Sequence, residues 1–270
     1  KKIIKTKNPN LFLNQFAGLK RKYSSAKIIA ITGSAGKTSL KNLIKSILQN
    51  FGKTHYSPKS FNNHFGVPIS LSNLNPDDKF GVFGVGMSKP NELRKLTRLI
   101  KPHIGIITNI GDAHIENFRN IKGIAKAKSE IIENILPGGS IILNRDDKFF
   151  KYLFNKAKTN RLKISTFGMH KSADICAKKI SKKGTDSKIL VNTGNKNLEL
   201  EIGELNIHNV LASLAVMKEL ELNPTSVVKK YKNIDLTGGR GKKHNILRYN
   251  KKFKLIDESY NANPQSVKNA

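Results

Sequence analysis

Residues Ile28-Ile-Ala-Ile-Thr-Gly-Ser-Ala-Gly-Lys-Thr-Ser39 constrain this chain more than any other stretch, because a buried-strand run breaks into a glycine-framed Lys-Thr and then becomes a helix. The apolar residues Ile28 to Ile31 read as a strand. Gly33 and Gly36 let the loop between them, Ser34 and Ala35 included, turn backbone N–H groups toward an anion. A helix from about Thr38 to Gln49, with Ser39 in its first turn, presents its positive end to the same point. In this reading Lys37 reaches the β- and γ-phosphates of a nucleotide and the Thr38 hydroxyl meets Mg²⁺. The long form of the motif places a glycine five residues before Gly36. Ile31 stands there, so the match is to the shorter Gly33-x-x-Gly36-Lys37-Thr38. The competing reading is a glycine-rich turn with a chance Lys-Thr; the order strand, loop, helix is what phosphate binding demands.

The rest of the chain repeats that alternation. Phe80 to Gly86 reads as a second strand, and Pro90 to Ile100 as a helix with Pro90 in its first turn. His103 to Ile110 is a third strand, 121 to 135 a helix, Ser140 to Leu143 a fourth strand, and another helix starts near Asp147. Strands alternating with helices predict an α/β fold: a doubly wound, mostly parallel sheet. In such a sheet ligands sit at the carboxyl ends of the strands, where the phosphate loop, Thr108 to His114 and Asn144-Arg-Asp-Asp147 would gather. From about Leu162 to Ile202 short alternating runs predict a small antiparallel excursion. Helical periodicity returns in Asn206 to Leu220 and again after Pro224. Tyr249 to Phe253 reads as a hairpin turn, leading into a strand, a polar turn and, by Pro264, a new helix. Leu11 to Lys22 is a short helix. Residues 1 to about 26 read as the tail of something preceding the loop domain, and the last residues as the start of another.

Composition narrows the partners. The chain has 270 residues, a formal net charge of +30 and one cysteine, Cys176. A lone cysteine excludes an internal disulfide framework and fits a reducing cytoplasm. No run approaches ~18 apolar residues, so no membrane span is expected, and the start lacks the apolar stretch and cleavage site of a signal peptide. The charge alone would point to nucleic acid. Only eight of the 49 basic residues are arginine, however, whereas arginine is the preferred residue for bidentate phosphate and base recognition. The lysines are scattered over the whole length without interleaved aromatics. Solvated lysine-rich faces explain the charge without nucleic acid as a partner.

Three further groups carry chemistry. Ile121, Ile124, Ile131, Ile132 and Ile135 form an apolar helical stripe, and Lys128 falls on it, whereas Lys122 and Lys126 fall off it. An inward ammonium needs a partner, a shifted pKa or covalent conversion, since burying an unpaired charge costs several kcal/mol; the alternative is snorkelling of its long stem. Gly111-Asp-Ala-His-Ile-Glu-Asn-Phe118 offers Asp112, His114 and Glu116 just past a strand end, where His114 is either a metal ligand or a polar loop residue. Asn62 and Asn63 precede an apolar segment, either as ligand-facing amides or as a loop and helix cap.

Taken together, Thr32-Gly-Ser-Ala-Gly-Lys-Thr-Ser39, Asn62-Asn-His-Phe-Gly-Val-Pro68, Asn109-Ile-Gly-Asp-Ala-His-Ile-Glu-Asn-Phe118, Ala125-Lys-Ala-Lys-Ser-Glu-Ile131, His208-Asn209 and Asp257-Glu-Ser-Tyr-Asn-Ala-Asn-Pro264 resemble the Mur ligases. The resemblance covers nearly the whole chain from about residue 28. It implies residues 1–27 as the end of a UDP-sugar domain or a linker, 28–243 as a central ATPase domain and 244–270 as the start of a truncated Rossmann-like domain. It also implies a cytoplasmic, monomeric ATP-dependent amide ligase of peptidoglycan precursor synthesis, with ATP and Mg²⁺ as cofactors and UDP-muramoyl-peptide and D-alanyl-D-alanine as partners. In that family a substrate carboxylate is activated as an acyl phosphate, so phosphate positioning and charge neutralisation carry the chemistry. Gly33, Ser34, Ala35, Gly36, Lys37, Thr38 and Ser39 would then bind the phosphates. Thr38, His114 and a carbamylated Lys128 would hold metal, Asn209 would face adenine, Arg240 and Asp257 the phosphate or ribose region, and Asn62 and Asn63 the UDP-sugar side. Two residues depart from the pattern: Gly84 where the family carries a metal-binding Glu, and Ala212 where it carries a second Asn. The alternatives are another Mur-type ligase acting on amino acids or folates, a nucleotide-binding unit without catalysis, and a lysine-rich nucleic-acid binder.

Overall fold

Strands made of unbroken apolar residues must be covered on both faces, and two layers of helices do so here. The computed structural model describes residues 3–183, 186–194, 196–234, 239, 242–257 and 259. In chain order its elements are α1 (Pro9–Lys22), β1 (Lys27–Thr32), α2 (Lys37–Leu48), β2 (Thr54–Tyr56), α3 (Gly66–Ser72), β3 (Phe80–Gly84), α4 (Glu92–Ile100), β4 (Ile104–Ile107), α5 (Ile121–Lys128), β5 (Ser140–Asn144), α6 (Phe150–Thr159), β6 (Lys163–Gly168), β7 (Ile175–Lys183), β8 (Asp186–Asn192), β9 (Asn197–Gly203), α7 (Ile207–Glu219), β10 (Lys242–Arg248) and β11 (Lys251–Asp257). The strands form a nine-stranded sheet in the order β2-β3-β1-β4-β5-β6-β7-β8-β9 and a separate β10-β11 hairpin. Pairing is parallel from β2 to β7 and antiparallel from β7 to β9.

Alternation along β1 assigns the two layers. Ile29 and Ile31 face a core shared with Leu40, Leu43, Ile44 and Ile47 of α2 and Val210, Leu211 and Leu214 of α7. Ile28 and Ala30 face the opposite core, with Val67 and Leu71 of α3, Leu93 and Leu96 of α4, Ile124 of α5 and Leu153 of α6. From β1 the chain crosses to the β2 edge, returns through β3, and then passes to β4 on the other flank of β1. The strand order therefore reverses at β1, and the crevice between the carboxyl ends of β1 and β4 is where such a sheet takes a ligand. At the other end of the sheet, β9 buries Leu198, Leu200 and Ile202 and turns Glu199 outward. A one-residue slip would expose all three apolar side chains, each worth about 1.5–3 kcal/mol when buried, so register there is strongly specified.

Several boundaries differ from the sequence expectation for physical reasons. The antiparallel excursion begins later than Leu162: β6 pairs in parallel with β5, and β7 to β9 extend the same sheet. The third strand is shorter than expected, ending at Ile107. The helix expected over 121 to 135 is α-helical only to Lys128 and continues as a 3-10 segment, Ser129–Asn134. Pro90 lies ahead of α4 rather than in it, because the carboxylate of Glu130 accepts from Asn91 N and Arg94 N at 2.8 and 3.0 Å and so caps that helix from another element. The helix expected from Asp147 starts at Phe150, since the Asp147 carboxylate accepts from Ile110 N at 2.7 Å and Phe149 N at 2.8 Å. After Pro224 the chain forms a 3-10 segment to Asn233. Tyr249 and Asn250 turn the β10-β11 hairpin with φ of 50° and 56°. The helix expected near Pro264 lies outside the described residues. No helix among the described residues is long and apolar enough to cross a membrane.

His103, just ahead of β4, is a half-buried acceptor: Ile28 N donates to its Nδ1 at 2.9 Å. Burial, then the charges of Arg21 and Lys27, lower its pKa from 6.5 to about 4. Between those values the unfolded chain binds a proton that the folded chain does not, so stability falls as pH drops through that window. Urea unfolding at a series of pH values should show this slope, and His103→Asn, which keeps an acceptor and removes the titration, should flatten it. An unchanged slope would assign the acid sensitivity to other groups.

Candidate functional site

The loop after β1 is shaped by what stands behind it. Gly33 has φ of 147°, and a Cβ there would collide with Thr108 Oγ1, so backbone and β4 approach as only glycine permits. Gly36, at φ of 80°, is the left-handed residue that opens α2, and no side chain caps that helix. The loop is stitched to the segment after β4. Ser34 N donates to Asn109 O at 3.0 Å and Ala35 N to Asn109 Oδ1 at 2.9 Å, while Thr108 Oγ1 donates to Ala35 O at 2.7 Å. Ser34 Oγ donates to Gly111 O at 2.9 Å and accepts from Gly111 N at 2.8 Å.

Two lysines converge on the first carbonyl of this loop. Lys37 Nζ reaches back to Gly33 O at 2.6 Å and Ser34 O at 3.4 Å. Lys128 Nζ arrives from α5 and donates to the same Gly33 O at 3.0 Å. The isoleucine stripe carries Lys128 inward to 1% exposure, with Ile124, Ile131 and Ile132 buried around it, while Lys122 and Lys126 stay exposed. Burial first, and the charge of Lys37 second, push the Lys128 ammonium well below the usual lysine range. His114 adopts φ of 64° beside the loop. Burial, then the charges of Lys128 and Lys37, hold its imidazole below the ordinary value, which favours the neutral ring that coordinates metals.

A cleft of about 550 Å³ opens over the loop. One wall is Ser34 to Thr38 with His114; the facing wall is Ser60, Asn62, Asn63 and His64, and the floor comes from Gly86 to Ser88 and the start of α4. Asn63 is a helix cap as well as a wall residue, since its Oδ1 accepts from Phe65 N at 3.2 Å and Gly66 N at 2.9 Å. Asn209 comes from the start of α7, where a Cβ on Gly36 would lie 3.2 Å from its Oδ1. Its neighbour His208 is tied by Nε2 to Asp146 Oδ2 at 2.9 Å, so α7 is anchored to the segment after β5. Ser39 lies in the first turn of α2.

Other expected residues lie elsewhere. Asp257 ends β11 and accepts from Gly239 N at 2.8 Å and Ser259 N at 3.1 Å; it is not among the cleft-lining residues. Arg240 lies outside the described residues. Ala212 is fully buried in the core around α7. Sequence reasoning missed Met87, Glu92, Lys95 and Leu96 as cleft residues; the run Gly86-Met-Ser-Lys-Pro directly after a strand end was the available signal. Glu92 turns its Oε2 to Ser88 N at 2.7 Å and Lys89 N at 3.2 Å, which shapes that floor.

The donor set suits a magnesium ion carried on nucleotide phosphates rather than a closed protein cage. Among the described residues no three His, Cys, Asp or Glu side chains cluster to hold a metal. Thr38 and His114 line the cleft, and Mg²⁺ is commonly bound through one or two protein groups, substrate phosphates and water. At Gly84 a Cβ would meet only Asn62 Cβ and Lys41 Cδ, both at 3.9 Å, so a side chain has room to start there.

Known proteins resemble this chain in sequence and in overall fold. The chain is 32% identical over 269 residues to a UDP-N-acetylmuramoyl-tripeptide--D-alanyl-D-alanine ligase of Buchnera aphidicola subsp. Baizongia pistaciae, covering 98% of this chain and 57% of that protein. It is 35% identical over 278 residues to the Rickettsia prowazekii protein of the same name, covering 100% of this chain and 60% of the other. A crystal structure of MurF from Acinetobacter baumannii superposes with a TM-score of 0.89 at 28% identity, over 99% of this chain and 60% of that one. The chain thus spans somewhat over half the length of the relatives it matches. With the family model of the Mur ligase middle domain matching residues 31–217, across the phosphate loop, the inward Lys128 and Asn209 alike, the chain belongs to the Mur ligase family.

Proposed function

We propose that this chain forms the nucleotide-binding centre of a cytoplasmic ATP-dependent ligase that joins D-alanyl-D-alanine to a UDP-N-acetylmuramoyl-tripeptide. Residues 28–243 would be its ATPase unit, and the residues on either side would belong to the UDP-sugar and C-terminal domains. The observation that carries this reading is the pair of lysines on Gly33 O, one of them 1% exposed and driven toward its neutral form. When bound, MgATP supplies the phosphoryl group that turns a peptide carboxylate into an acyl phosphate, from which the dipeptide amine displaces phosphate.

The residues of the chain have separable tasks. The backbone of Gly33 to Thr38 and the Lys37 ammonium stabilise phosphate charge, as a preorganised helix N-terminus does without reorganising. Thr38 Oγ1 and the neutral His114 ring are the groups that would hold metal. A neutral Lys128 amine is nucleophilic. Its addition to CO₂ forms one N–C bond as one C–O π bond opens, releases one proton and leaves an N–H for Gly33 O, converting a buried neutral amine into an anionic oxygen ligand. Asn209 beside Gly36 is suited to the adenine side, and Asn62 with Asn63 to the UDP-sugar side of the cleft, the side of the substrate whose carboxylate accepts the phosphoryl group.

In the protein that carries this chain, phosphate release from ATP should require both the UDP-muramoyl-tripeptide and D-alanyl-D-alanine. Lys128→Ala should cut it on the order of 100-fold, the scale of losing one charge-stabilising group, and short carboxylic acids should restore part of it. Release that depends on a folate and glutamate instead, or that Lys128→Ala leaves intact, would overturn the reading. Gly84→Glu should tighten the apparent Mg²⁺ affinity in nucleotide binding by roughly tenfold, the scale on which groups around a metal act. Calorimetric Mg²⁺ titrations of both forms decide this, and equal or weaker affinity would show that position 84 is not a vacant ligand site.

A further inference from the structure

Lys41 lies one turn beyond Lys37 on α2 and is 2% exposed, one of the largest fully buried side chains in the molecule. Main-chain carbonyls are among its partners: Nζ donates to Ser57 O and, at 2.6 Å, to Lys59 O. Its ammonium also stands 5.9 Å from the centre of the Tyr56 ring. Lys59 has φ of 45°, a conformation that costs energy for a side-chain-bearing residue and persists only where neighbours hold it. Past Lys59 the chain forms the cleft wall of Ser60, Asn62, Asn63 and His64, and its far end is held where Gly86 N donates to Asn62 O at 2.7 Å. The segment 57–62 is therefore hung between α2 and the exit of β3.

We infer that Lys41 is a positioning residue that sets the acceptor wall of the cleft against the phosphate loop. It belongs to the helix whose first turn carries Lys37 and Thr38, so the wall is referenced to the same rigid element that presents the loop. A charge-assisted bond to each of two carbonyls is about twice as strong as a neutral one, and removing the donor leaves the buried Ser57 carbonyl and the part-buried Lys59 carbonyl short of a partner. Lys41 is not among the residues that line the cleft, and the two carbonyls it holds belong to the segment that leads into the wall. Its loss should therefore loosen acceptor binding and spare the nucleotide.

The inference rests on the ligase reading above, and its test separates the two. In the protein carrying this chain, Lys41→Met keeps the stem and removes the ammonium. It should raise the KM for the UDP-muramoyl-tripeptide by roughly tenfold and leave the KM for ATP within about twofold, the pattern of lost acceptor binding. Lys41→Arg, which keeps donors at the end of the chain, should recover most of the difference. Equal rises in both KM values, no rise in the acceptor KM, or a Lys41→Met protein that fails to fold would each overturn the role. If the wild type shows no ligation with these substrates, the ligase reading fails by itself. Amide hydrogen exchange then decides on Lys41: faster exchange over residues 59–64 in Lys41→Met, restored in Lys41→Arg, supports the positioning role, and unchanged exchange overturns it.

Discussion

The contact of Gly33 with Thr108 is the constraint on which the site depends. Because no Cβ fits between them, the phosphate loop lies flat against the end of β4, and the hydrogen bonds from Ser34, Ala35 and Thr108 follow from that closeness. The same seam brings His114 to the loop, since only a few residues separate it from Thr108. A parallel sheet whose order reverses at β1 leaves this seam at the mouth of a crevice instead of under a crossover helix. Fold and site are thus one consequence of strand order.

Electrostatics give the seam its chemistry. Gly33 O accepts from two lysines, and a carbonyl dipole can satisfy two donors but cannot cancel two charges. Lys37 is the less enclosed member, half-buried at the loop, whereas Lys128 is fully buried and has the charge of Lys37 as a neighbour. Desolvation and like charge act in the same direction on Lys128, toward the neutral amine. A cleft wall with Lys37 held by the loop and Lys128 pushed toward its neutral form beneath it suits an anionic ligand above.

Legibility followed locality. The phosphate loop was readable because strand, glycines and helix are contiguous, and Lys128 because a helical stripe is a statement about one segment. The alternation of strands and helices fixed the doubly wound class for the same reason. What escaped was set by partners distant in sequence. Glu130 caps α4 from nearly forty residues away, which moved its start past Pro90. Asp147 is spent on Ile110 and so delays α6. The α5 stripe runs smoothly to Ile135, yet the backbone tightens after Lys128, a change that side-chain periodicity does not register. Lys41 looked like one more lysine in a lysine-rich chain, because its carbonyl partners lie sixteen and eighteen residues ahead in a loop without a distinctive pattern.

That last case separates two kinds of charge in a chain of net charge +30. Lysines spread over solvated faces interact through water and salt and lose their reach beyond ~8 Å at physiological ionic strength. Lys41 and Lys128 are instead enclosed at 2% and 1% exposure, where an ammonium must find oxygen atoms or give up its proton. Lys41 meets this demand with main-chain carbonyls of the 57–59 segment and so organises backbone. Lys128 has Gly33 O, already shared with Lys37, and so is driven toward its neutral form. The same residue type thus takes a structural part or a chemical one according to how many acceptors the surrounding backbone leaves for it, a distinction that no count of lysines contains.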